Sequence, residues 1–106
     1  SAPDPNTDPL GYLNYEKAQL LQRVNSAGTK VDPKLKVSFD VESKAITELT
    51  AKITALLNTK LSDRQKTDEL KRLKPIIENL MATVKNESAR QQRLLGKTAP
   101  PGNATN

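Results

Sequence analysis

One stretch constrains the fold more than any other: "LKRLKPIIENLMATV", residues 70–84. Leu70, Leu73, Ile77, Leu80 and Val84 recur at alternating steps of three and four. That is the period at which one face of a helix presents its side chains. Pro75 sits inside this run. A proline there cannot donate to the carbonyl of Lys71, four residues back, and its ring crowds that carbonyl. The apolar stripe nevertheless passes through Pro75 in phase, and Arg72, Leu73 and Lys74 would be poor N-caps for a fresh start. The pattern predicts one long helix over about 63–95, bent at 71–75. The alternative is two helices meeting at Pro75, since a proline also restricts the residue before it.

What this helix packs against follows from the rest of the chain. At 106 residues there is room for one domain. With one Phe, two Tyr and no Trp, a core must be built from Leu, Ile, Val and Ala, which suits packed helices better than a β-sandwich. Asp8 followed by Pro9 is a helix-start pair: the carboxylate can accept from a free first-turn amide, and proline gives up only an amide that had no partner. Leu10, Leu13, Leu20, Leu21 and Val24 then mark one face, and Gly28 supplies a stop, so the first helix is expected over about 9–26. In "TKVDPKLKVSFD", Leu35, Val37 and Phe39 alternate with polar residues. Alternation is the period of a strand, but a lone strand has no partner here, so the segment reads as an extended connector.

The second helix is expected from Ser38 or Asp40 to about Asn58, with Ala45, Ile46, Leu49, Ile53, Leu56 and Leu57 inward and Glu42, Lys44, Glu48 and Lys52 outward. Ser62 with Gln65 three residues later is a capping-box pattern opening the last helix, and Gly96 is its expected end. The predicted fold is therefore all-α: a three-helix antiparallel bundle over 9–96, four-helix if Pro75 divides the last segment. A disordered leader over 1–8 and a disordered tail over 97–106 flank it.

Function classes narrow by exclusion. The chain has neither Cys nor His, which removes the usual zinc ligands and most nucleophile–base pairs. It also leaves the redox compartment undetermined. Asp63, Asp68, Glu69 and Glu78 lie near Lys71 and Arg72, yet Asp68–Arg72 and Lys74–Glu78 are spaced as ordinary surface ion pairs. No Gly-rich phosphate loop is present. The reading is a protein that is not an enzyme and needs no cofactor or metal. No apolar run approaches the length of a membrane span, and the first residues lack the basic start and apolar stretch of a signal peptide.

A net charge of +5 favours acidic partners. Lys71, Lys74, Lys85, Arg90 and Arg93 could meet phosphates, with Gln91, Gln92 and Arg93 placed to reach bases, which makes a basic nucleic-acid-binding domain the alternative function. The favoured function is a protein–protein interaction domain, adaptor or chaperone-like. Residues 85–95 of the last helix have no expected counterpart to cover them, so Ile77, Leu80, Met81, Val84, Leu94 and Leu95 form an apolar groove for an amphipathic segment of a partner, rimmed by the basic residues. A third reading is a self-associating helix that forms a dimeric bundle.

The run "ELTAKITALLNTKLSDRQKTDELKRLKPIIENLMATVKNESARQQRLLG" resembles the helical hairpin of small bacterial export chaperones of the flagellar type. In that family the last helix ends in Asn- and Leu-rich repeats that hold a client helix, which implies a client-binding role for the end of this one. Gln91 and Gln92 stand where the pattern prefers Asn, and the likeness covers about half of the chain. It rests on Leu, Lys and Glu at helical spacing, so no family is assigned from it.

Overall fold

The computed structural model describes residues 1–29, 31–58 and 60–98, the side chains of Lys97 and Thr98 excepted. It contains three helices, α1 (Pro9–Ala27), α2 (Pro33–Leu56) and α3 (Asp63–Thr98), and no strand among the described residues. The expected tail lies outside the described residues from position 99 onward, while Lys97 and Thr98 belong to α3. The leader is not featureless. Residues 5–7 form a turn in which the amides of Thr7 and Asp8 donate to the Asp4 carbonyl, at 3.2 and 2.8 Å.

Local chemistry sets each boundary. The Gly11 amide donates to Asp8 Oδ1 at 3.0 Å, Pro9 opens α1, and Gly28 closes it with φ at 70°, in the left-handed region that favours glycine. A Cβ at position 11 would run into the Asp8 carboxylate, so the cap and the glycine depend on each other. The capping box of α3 forms reciprocally: Gln65 N donates to Ser62 Oγ at 3.1 Å and Ser62 N to Gln65 Oε1 at 2.8 Å. α3 runs unbroken through Pro75 and past Gly96, which is therefore not its stop. Pro75 and Lys71, whose carbonyl the proline leaves without its usual donor, are both exposed.

The connector reading of 31–39 is corrected. Asp32 and Pro33 repeat the helix-start pair of α1, with the Lys34 amide donating to Asp32 Oδ1 at 2.7 Å. Leu35 and Phe39, four apart, point inward at 4% and 7% exposure, whereas Val37 between them is 62% exposed. A helix separates these residues in that way; a strand would have kept all three on one side.

α3 returns along α2, and α1 leans mainly on α2. One core joins them, from Leu13 and Leu20 of α1 through Leu35, Phe39, Ala45, Ile46, Leu49 and Ile53 of α2 to Val84 of α3. The inward row of α2, Leu35–Phe39–Glu42–Ile46–Leu49–Ile53, steps by four and three without interruption. Leu70 is not part of the matching row on α3, being 52% exposed, and the row begins at Leu73.

Candidate functional site

The six residues expected to line an open groove do not form one. Val84 is fully buried, and Ile77, Leu80, Met81, Leu94 and Leu95 pack against the core. The reason is the early start of α2. Ser38 already lies beside Gln91, so Leu35, one turn further back, reaches the end of α3 that was expected to project alone. The uncovered part is instead the tip of the α2–α3 hairpin, where Leu57 and Leu70 are 60% and 52% exposed. Of the expected basic rim, Lys71, Lys74, Lys85, Arg90 and Arg93 are all exposed. Arg90 pairs with Glu87 at 3.5 Å, and Arg72 pairs with Glu69 rather than Asp68, at 2.7 Å. Gln91, expected to face outward toward bases, is completely buried.

That burial opens onto a feature the sequence reading missed. Each helix contributes polar side chains to its inward row: Glu16 and Arg23 from α1, Ser38 and Glu42 from α2, Ser88 and Gln91 from α3. Arg23 is the hub. Its Nη1 donates to Gln91 Oε1 at 2.6 Å and lies 3.5 Å from Glu42 Oε1. Its Nη2 reaches both Glu16 oxygens, at 3.3 and 3.2 Å, and Ser88 Oγ at 3.0 Å. Gln91 Nε2 donates onward to Glu42 Oε1 at 2.8 Å and Ser38 Oγ at 3.2 Å. Ser38 in turn donates to the Glu87 carbonyl at 3.3 Å.

Glu42, expected on the solvent side, is 0% exposed, and its Oε2 has no donor to accept from among the described residues. Burial pushes its carboxyl up to about 8, helped by a hydrogen bond and charge repulsion from Glu16 and opposed by Gln91 and Arg23. A proton on Oε2 turns the orphaned acceptor into a donor toward Glu16, and with Arg23 it brings the layer to zero net charge. Tyr12 is raised as well, by burial and by the Glu16 and Glu42 charges, with Arg23 opposing. The signal was present in the sequence: Glu42 stands between Phe39 and Ile46, and Glu16 between Leu13 and Leu20, at the three–four spacing of the apolar rows.

The surface carries a second feature. Leu21 at 61%, Val24 at 40%, Val37 at 62% and Val41 at 39% exposure lie along the outer side of α1 and α2. Between the helices runs a groove of about 490 Å³, with Leu20, Leu21, Val24 and Phe39 as its apolar lining and Lys17, Asp40 and Ser43 as its polar edge. Leu21 and Val24 thus leave the inward face expected of them and make an outward one. Among the described residues, no group of three or more Asp, Glu, His or Cys side chains converges as a metal site, and no helix is long and apolar enough to cross a membrane. No protein-family model, no curated protein and no solved structure matches this chain.

Proposed function

We propose that this chain is a non-catalytic protein–protein interaction domain, adaptor or chaperone-like, built as a three-helix antiparallel bundle. Its partner is an amphipathic helix laid along the outer α1–α2 groove. The observation that carries this reading is the exposed pair Leu21 and Val24 on the groove itself, with Val37 and Val41 exposed further round α2. Exposed aliphatic side chains flanking a groove between two helices are the footprint of helix-in-groove recognition. Lys17, Lys36 and Lys44 edge this surface against Asp40 and Glu48, and the whole chain is +5, so the partner's flanks are acidic.

The test is an NMR titration with two synthetic amphipathic helices sharing a Leu/Ala face, one flanked by Glu and the other by Lys. The Glu-flanked peptide should shift amides of 14–24 and 39–43, and Leu21→Glu with Val24→Glu should abolish the shifts. Equal binding of both peptides, or shifts confined to 77–95, would refute the reading.

A second reading, nucleic-acid binding, has its own support. Arg64, Lys71 and Arg93 are exposed on the side of α3 opposite Leu73, Ile77 and Val84, and Lys74 and Lys85 are exposed on its flank. Duplex binding with a steep salt dependence, weakened by Lys71→Ala with Lys74→Ala, would favour it over the peptide groove.

A further inference from the structure

The layer formed by Glu16, Arg23, Ser38, Glu42, Ser88 and Gln91 is not used by the proposed peptide groove. Its placement has a consequence for the fold. The polar ties described above bind α1 to the other two helices at one level, through Arg23 to Gln91 and Ser88 and through Arg23 to Glu42. The two carboxylates belong to different helices, Glu16 to α1 and Glu42 to α2. With both ionised against one guanidinium, the layer holds an uncompensated negative charge away from water, and the repulsion acts across the α1–α2 interface. With a proton between them the layer is neutral and every polar oxygen of Glu42 has a role.

The groups facing Glu42 leave no other counter-charge. From α1 come Glu16, Arg23 and Tyr12; from α3 come the uncharged Ser88 and Gln91, while the Glu87 carboxylate pairs with Arg90. Within α2, Ser38 is bonded to Gln91 and Glu87. α1 is also the element best able to leave. It joins the rest through the short segment after Gly28, whereas α2 and α3 share the larger interface.

We propose that α1 is a releasable cover, latched by one proton held between Glu42 and Glu16, and that loss of this proton frees α1 while the α2–α3 hairpin persists. Release uncovers the apolar side of α2 and α3 against which Leu13 and Leu20 pack, including Val84.

The full chain, labelled with 13C at the glutamate side chains, decides this by NMR titration from pH 5 to 10, together with amide exchange at pH 7 and 9 corrected for base catalysis. The Glu42 carboxyl is expected to titrate near 8. Between pH 7 and 9, protection of amides 13–24 should fall about tenfold, the ratio that a single proton of that affinity sets. Amides of α2 and α3 should stay better protected than those of α1 at both pH values, and Glu42→Gln should remove the loss in α1. A Glu42 midpoint below 6, equal protection in all three helices, or an unchanged loss in Glu42→Gln would overturn the proposal. If Glu42→Gln does not fold, the wild-type midpoint and the contrast between helices decide it alone.

Discussion

The buried carboxyl should be legible in the stability of the whole chain. Folded Glu42 keeps its proton up to about 8, whereas the unfolded side chain releases it near 4.5. Between those values the folded state binds more protons than the unfolded one, so stability falls as the pH rises. The contribution is fully present below 4.5, declines through the window, and is gone above 8. Linkage gives a loss of about 2 to 3 kcal/mol from pH 5 to pH 7 and about 1 kcal/mol more by pH 9. No imidazole competes in that range, because the chain has no His. Glu69, lowered by its hydrogen bond to Arg72, acts in the opposite sense, and its stabilisation is lost only as the pH falls below the usual carboxylate range. Glu42→Gln replaces the proton-bearing oxygen with an amide that donates to Glu16 at any pH, while its carbonyl still accepts from Gln91. Urea melts followed by far-UV circular dichroism, suited to a chain without Trp, should give wild-type midpoints that fall from pH 5 to 8 and variant midpoints that do not. A wild-type stability that is flat or rising across that interval, or a variant with the wild-type slope, would refute the account of Glu42.

Three further outcomes follow from the same geometry. Arg23→Met leaves Glu16 and Glu42 without their guanidinium and should cost about 3 to 5 kcal/mol at pH 7, measured by urea melts, with part of the loss recovered at pH 4.5 where protons replace it. Gly28→Ala places a Cβ in open space but on a backbone with φ at 70° and ψ at −159°, a combination almost confined to glycine, so the cost is backbone strain alone, about 1 to 3 kcal/mol in the same assay. Replacing the four long side chains of the layer (Glu16→Leu, Arg23→Met, Glu42→Leu and Gln91→Leu together) should raise the thermal midpoint while broadening the NMR spectrum, as the polar register is lost; sharp, single resonances would count against a specifying role.

How much of this was visible beforehand divides along a physical line. Features decided within one turn were legible: Asp8 with Pro9, Ser62 with Gln65, Gly28 as a stop, and the phase of the apolar row through Pro75. Asp32 with Pro33 was equally local and was outweighed by the alternation of Leu35, Val37 and Phe39, a pattern too short to separate strand from helix. Which apolar residues stay exposed was not legible, because it depends on how far each helix overlaps its neighbours. Moving the start of α2 from about 38 to Pro33 covers Leu94 and Leu95 and transfers the overhang to the hairpin tip at Leu57 and Leu70. Glu42 was misplaced for a related reason: a charged residue is assigned outward by default, and only partners distant in sequence reverse that.

The same dependence on distant partners explains why a polar layer belongs in this core. The inward row of α2 steps by four and three, and the Leu13, Glu16, Leu20, Arg23 row of α1 has nearly the same period, so apolar contact alone would tolerate a slide of one repeat. A slide of seven residues moves Arg23 about 10 Å along its neighbours. That distance takes its guanidinium away from Gln91 and Ser88, and in the direction that carries Glu16 into its place it sets a second carboxylate against the buried Glu42. Sliding is therefore opposed by desolvated charge rather than by lost apolar area, and the penalty is steep because Glu42 cannot reach water. The same arrangement ties the register of α1 to the protonation of one side chain: the charge imbalance that fixes where α1 sits is also what drives it off when the proton leaves.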